Sequence, residues 1–344
     1  QLPFLIGTST GTLLKCSWAL PFVSLFFSKP RDFFNVCLLP YFMLLLAFAF
    51  YCFFMTTVTG ITYTGSDLYN ITLSFVIALI SFVFWKNYAS EKYLTILGIS
   101  LMLCAAILAY VVYNTSFVEY DILSAQYAYA SKNSMGQILF ASLLIGDVIL
   151  LRKKTFLKLT TVVISILVIY VILVLKSRAT FLSIFFIIAY FSFSYKNKHI
   201  RRLILFLCLG FAVWLITNPE SWDTFLNAFI FAGRDASDID DLSSGRITLI
   251  SECLEQFAAH PLFGIGNEYA DCFPLIILTQ YGLIGSPIVF GIIVYAYKQV
   301  KRPSSDNVQL LAFLILVSFL INSLFEAQPP FGPGAKCFFV WMMF

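Results

Sequence analysis

An all-α fold, built as a polytopic transmembrane helical bundle, is what this sequence predicts, and two observations carry the prediction. The first is composition. Of 344 residues 60% are hydrophobic and only 12% charged, with a mean hydropathy of +0.88, whereas a soluble domain is about 45–50% apolar and about 25% charged. The second is pattern. Apolar runs of about 20 residues, enough to cross a bilayer as helix, recur along the chain, and lysine and arginine gather in every second connection between them. The runs are continuous and do not alternate over roughly ten-residue segments, which excludes a transmembrane β-barrel.

Taken in order, the runs place helices near 3–26, 34–58, 69–85, 93–113, 135–151, 157–175, 179–195, 202–217, 273–296, 308–325 and from 336 onward, about 11 spans. The first is interrupted by Lys15 and "GTSTGT". No cleavable signal peptide is evident, and the opening at Gln1 together with the ending "FFVWMMF" leads us to expect more chain at one or both ends. The connections "SKPRD" (28–32), "KNYASEK" (86–92), "RKKTFLK" (152–158), "KNKHIRR" (196–202) and "KQVKR" (298–302) hold 15 of the 22 basic residues. By the positive-inside rule they face the cytoplasm. The opposite connections, near 59–68, 114–134, 218–272 and 326–335 with the junction Lys176–Arg178, then face outward. In an envelope with two membranes that side is the periplasm. The chain accordingly divides into residues 1–217 as transmembrane helices one to eight, 218–272 as one large external loop, and 273–344 as helices nine to eleven.

The net charge of +4 is divided among short loops. No basic patch is pooled, and no nucleic-acid partner is implied. The eight cysteines form no CxxC pair and mostly sit in apolar runs, where Cys behaves as a small hydrophobe. Neither a zinc site nor a disulfide framework is expected.

The external segment is acidic apart from Arg234 and Arg246. Within "SSGRITLISECLEQFAAHPLFGIG" (243–266), Ile247, Ile250, Cys253, Leu254 and Phe257 fall at helical spacing with polar residues opposite. This predicts an amphipathic helix lying along the outer membrane boundary, capped by Ser243 or Ser244 and stopped by Pro261. Arg246 falls in the first turn, where the helix dipole disfavours a cation by about 0.3–1 kcal/mol. A bound anion or an acidic neighbour from "DASDID" would compensate, and the sequence leaves both open. Arg178, in "KSRATFLS" (176–183), stands between two apolar runs. A charge there either snorkels or faces the bundle interior and marks a site; Lys176 is expected to snorkel. Three arginines on one side, Arg178, Arg234 and Arg246, would suit a phosphate-bearing lipid entering from the outer leaflet. Tyr269, Tyr281, Trp214 and Trp222 are expected at the outer aromatic belt, and "DASDIDD" as a solvated acidic loop.

These motifs resemble the O-antigen polymerase (Wzy-type) and O-antigen ligase family of polytopic membrane glycosyltransferases. "KSRATFLS" is similar to the family's arginine at the outer start of a helix, "SSGRITLISECLEQFAAHPLFGIG" to its "SGR…hPl.GiG" signature, and "LIILTQYGLIG" (275–285) to the "GliG" helix after the large loop. The likeness covers roughly 170–300. It implies a metal-independent, cofactor-free glycosyltransferase with a GT-C-like membrane fold, acting on undecaprenyl-diphosphate-linked oligosaccharide at the outer face of a bacterial inner membrane. Arg178 and Arg246 would bind the diphosphate, with Arg234 carried over more weakly. Membrane lipids are partners by the same token, and a chain-length regulator protein is a candidate partner. One departure stands out. Family ligases often carry "HN" eleven residues before the first glycine of "GliG"; counting back from Gly282 gives Asp271 and Cys272.

A carboxylate therefore stands where a general base is expected. The expectation is a repeat-unit polymerase: a hydroxyl of one lipid-linked unit attacks the anomeric carbon of another, Asp271 or Glu268 accepts the proton, and the arginines take up charge on the departing diphosphate. His260 is a further candidate base. The alternative enzyme is the ligase, which transfers the glycan to lipid A-core. The alternative of another class is a polysaccharide flippase or transporter, which calls for charged residues inside several spans; among the uninterrupted spans only Asp147 sits well within one.

Overall fold

The computed structural model describes residues 17–35, 38–61, 65–88, 90–116, 132–194, 198–227, 238, 240, 243, 245–266, 271–300, 307–326 and 341–342. All regular structure there is helical: α1 Ala19–Ser28, a short 3-10 turn Pro30–Phe34, α2 Leu39–Thr59, α3 Gly65–Tyr88, α4 Glu91–Ser116, α5 Lys132–Leu150 and α6 Thr155–Leu175. After these come α7 Arg178–Ser194, α8 Lys198–Thr217, α9 Pro219–Phe225, α10 Arg246–Ala259, α11 Phe273–Val300 and α12 Asn307–Ser323. Among the described residues six helices are long and apolar enough to cross a membrane: those within α2, α3, α4, α5, α6 and α11. The chain is an all-α, polytopic membrane protein.

Its helices start and stop where local chemistry dictates. Pro40 in the first turn of α2 costs no hydrogen bond, and Gly60, at φ 69°, ends it in the left-handed conformation that glycine adopts without penalty. Ser177 caps α7, its Oγ accepting from the Thr180 N–H at 3.3 Å.

α5 is the central helix, buried over most of its length and packed against α4, α6, α7 and α12. α11 packs on α2 and α12 and carries α10 across its N-terminal end. The shared core runs through Tyr41, Phe48 and Met55 of α2, Leu139 and Ile145 of α5, Ile172 of α6, Tyr281 and Ile292 of α11, and Leu314 and Phe319 of α12. Outward, Phe50, Phe53 and Phe54 of α2 and Phe156, Ile166 and Leu167 of α6 are exposed, an apolar surface of the kind lipid covers.

Ion pairs tie three of the basic connections, 28–32, 86–92 and 152–158, to neighbouring helices at one end of the bundle. Lys86 pairs with Asp32 at 2.6 Å and Lys153 with Glu91 at 2.5 Å. α5 separates this end, by roughly 28 Å at 1.5 Å per residue, from the end where α7 and α10 begin. Two expectations are corrected. Lys176 does not snorkel: it is left-handed at φ 50° and only 1% exposed, wedged between α6 and α7. Tyr281 is not in a boundary belt but fully buried, its ring edge-on to Phe48 at 5.0 Å. Trp214 and Trp222 are exposed; Tyr269 lies outside the described residues.

Candidate active site

α10 begins under a dense cap. Gly245, at φ 73°, turns the chain into the helix. The Ile247 N–H donates to Ser243 Oγ (3.2 Å) and the Thr248 N–H to Asp240 Oδ1 (3.1 Å), while the Thr248 hydroxyl donates to Asp240 Oδ2 (2.7 Å). An acidic neighbour of the kind the sequence offers is present: Asp240 occupies the helix N-terminus through Thr248, and the Ile247 and Thr248 amides are spent on the cap. Hydrogen bonds from Thr248 hold the Asp240 carboxyl below its ordinary value. A carboxyl lowered on folding stabilises above its unfolded value and loses that contribution as pH falls through the folded one. Acidification into that range is therefore expected to fray the first turn of α10, with amide exchange at Ile247 and Thr248 accelerating while the bundle stays protected. Asp240→Asn should show the same exchange pattern at neutral pH.

The inner face of α10 presents Leu249, Ile250 and Cys253 to Leu275 and Ile276 of α11, with Cys253 fully buried. Ile247 and Leu254, expected on the apolar stripe, are exposed. Leu249 joins Ile250 and Cys253 on the face packed against α11. With its amides capped and its inner face on α11, α10 directs Arg246 towards Asp271, two residues before α11, with Arg246 Nε 3.4 Å from Asp271 Oδ2. Both side chains are mostly sheltered, at 17% and 27% exposure.

The loop leading out of α10 accounts for the glycines. At Gly282 (φ 61°, ψ −171°) α11 is broken. An unbroken helix would bond Leu283 N–H to Thr279 O and Ile284 N–H to Gln280 O. Here the "HPLFGIG" loop takes all four groups. The Ile265 and Gly266 N–H groups donate to Thr279 O (3.0 Å) and Gln280 O (3.1 Å), and the Leu283 and Ile284 N–H groups donate to Pro261 O (2.9 Å) and Leu262 O (3.1 Å). Tyr51, reaching across from α2, donates to both Tyr281 O (2.8 Å) and Phe263 O (3.1 Å). The loop is thereby stitched into the gap in α11, and α10 with it. A side chain at Gly264 would strike the Thr279 and Gln280 carbonyls, and one at Gly282 the Leu262 carbonyl.

Arg178 and Arg246 line one cavity of about 280 Å³, together with Lys132 and Asn133 from α5, Ala179 from α7, Ser243, Ile247 and Ile250 around α10, and Leu324 and Phe325 after α12. α5 and α7 are locked beside it: Ser177 Oγ donates to Asn133 Oδ1 at 2.9 Å, and Gly136 lets α5 approach Thr180 closely. The cavity carries cations from α5, α7 and α10 beside an apolar wall of Ile250, Leu324 and Phe325, a combination suited to a charged headgroup carried on a lipid.

The structure therefore brings together Arg178, Arg246 and Asp271. It does not bring His260 to them: that residue is exposed at the far end of α10, roughly 20 Å along the helix from Arg246. Arg234 and Glu268 lie outside the described residues. Lys132 and Asn133 were not singled out in the sequence; the available signal was a lysine on the side of the chain where basic residues are scarce.

Fold and site together define a polytopic membrane helical bundle with a cation-lined cavity at one end. Residues 163–287 match the model of a family described as O-antigen ligase, a likeness that supports the O-antigen polymerase and ligase family for that segment. The matched segment runs from α6 into α11 and includes Arg178, Arg246, Asp271 and Gly282. No curated protein matches the chain.

Proposed function

We propose that the protein is a repeat-unit polymerase. It transfers a glycan from undecaprenyl diphosphate to a hydroxyl of a second lipid-linked unit, at the periplasmic face of a bacterial inner membrane. The observation that carries the reading is the convergence of Arg178 and Arg246 on one cavity with Asp271 beside Arg246. The diphosphate sits between the two arginines, whose fixed charge stabilises the leaving group, and the prenyl chain runs over the apolar wall. The acceptor oxygen bonds to the anomeric carbon as the bond from that carbon to the diphosphate oxygen breaks. The hydroxyl proton passes to the Asp271 carboxylate and the bonding pair leaves with the diphosphate. Asp271 is favoured over His260 by its position; Glu268 is the alternative acceptor, and Arg234 a further arginine for the diphosphate. The outward orientation of the site is supported by its separation from the basic connections around Lys86 and Lys153.

The description of the matched family favours a second reading, transfer to lipid A-core. Asp271 and Cys272 at the position of the ligases' "HN" pair weigh against it. Reconstituted protein given only the cognate lipid-linked repeat unit is expected to produce a ladder of lengthening glycans. No ladder, with transfer appearing once core lipid is added, establishes the ligase instead.

A further inference from the structure

Lys132 is the third cation on the cavity wall, and it comes from α5, outside the segment matched by the family. We propose that Lys132 binds the same diphosphate as Arg178 and Arg246, with Asn133 beside it as a hydrogen-bond donor. The proposal rests on the reading of the cavity as a lipid-diphosphate site.

Charge points to Lys132 first. Asp271 stands 3.4 Å from Arg246, so two arginines and one carboxylate give a net charge near +1. A diphosphate joining a sugar to a lipid carries about two negative charges, and its terminal phosphate gains more as the glycosidic bond breaks, because the second ionisation falls near pH 6. Two arginines beside Asp271 fall short of that charge. Lys132 brings a third positive charge to the same wall.

Position points the same way. The Lys132 ammonium nitrogen is buried, and buried cations in membrane bundles mark ligand pathways. The start of α5 is held by the Ser177–Asn133 hydrogen bond, so Lys132 is mounted on a fixed wall. With its oxygen taken by Ser177, the Asn133 amide presents its NH₂ group as donor. One turn deeper, Gln137 is 1% exposed and its amide has no hydrogen-bond partner among the described residues, so this end of α5 is polar beyond what packing calls for.

The test is calorimetric titration of the purified full chain in detergent with undecaprenyl diphosphate and, separately, inorganic pyrophosphate. Lys132→Met should weaken both by roughly tenfold, the loss expected for one charge-assisted contact, and Lys132→Arg should restore them. Lys132→Gln gives the same reading if the methionine variant fails to fold. Unchanged affinity in Lys132→Met or Lys132→Gln, with weakened binding in Arg178→Ala, overturns the role of Lys132 and leaves the diphosphate site standing. No binding of either probe by the wild-type chain overturns both.

Discussion

Gly282→Ala is expected to unseat the loop from α11 and abolish transfer. At φ 61° and ψ −171° the backbone is in a region essentially reserved for glycine, which costs another residue about 1–3 kcal/mol. The added methyl would also run into the Leu262 carbonyl, which is the acceptor for Ile284 N–H. The loop must retreat, and four backbone hydrogen bonds go with it; each buried group left unsatisfied costs about 1–3 kcal/mol. The combined loss is on the order of 4 kcal/mol or more, enough to lower the melting temperature markedly and speed exchange at Ile265, Gly266, Leu283 and Ile284. Tyr51→Phe removes only the hydroxyl shared by Phe263 O and Tyr281 O and should fall between this variant and wild type. Gly210→Ala is the control: nothing lies within 4 Å of the added methyl, and alanine favours helix.

Arg178→Ala and Arg246→Ala should each reduce glycan transfer by roughly 10²–10³-fold, the scale seen when one preorganised stabiliser of developing charge is removed. Their effects on folding should be small, since both side chains line a cavity and neither belongs to the apolar core. Lysine is expected to rescue either position only in part, because it supplies charge without the bidentate fork that suits phosphate oxygens. Arg246→Ala also deprives Asp271 of the guanidinium 3.4 Å away, so its loss and that of Asp271→Asn should be far from additive. Transfer rates measured beside melting temperatures check both points. Full activity in either alanine variant would remove that arginine from the site.

Much of this architecture could be read from the chain, because helix length, apolar runs and alternating charge are local properties. The start of α7 at Arg178, that of α10 at Arg246 and that of α11 at Phe273 fall where the sequence placed them within a residue or so. The arginines were legible because charge is scarce in so apolar a chain. What could not be read was convergence. Tyr51 binds carbonyls 212 and 230 positions away, and nothing in its surroundings announces that. Lys132 precedes Arg178 by a connection and a hairpin of helices, so only the packing of α5 on α7 reveals that they share a wall. The glycines of "GIG" and "GLIG" were visible as a signature, but their physical reason, a helix break filled by a loop, depends on two segments meeting.

The cavity between α5, α7 and α10 is central, because every proposed role turns on its holding the lipid diphosphate. A cryo-electron microscopy structure of the full chain in nanodiscs with undecaprenyl diphosphate tests this most directly. Diphosphate density is expected within hydrogen-bonding distance of the Arg178 and Arg246 guanidiniums, with the prenyl chain leaving over Ile250 and Leu324. Diphosphate density elsewhere on the bundle, with this cavity unchanged, would contradict it.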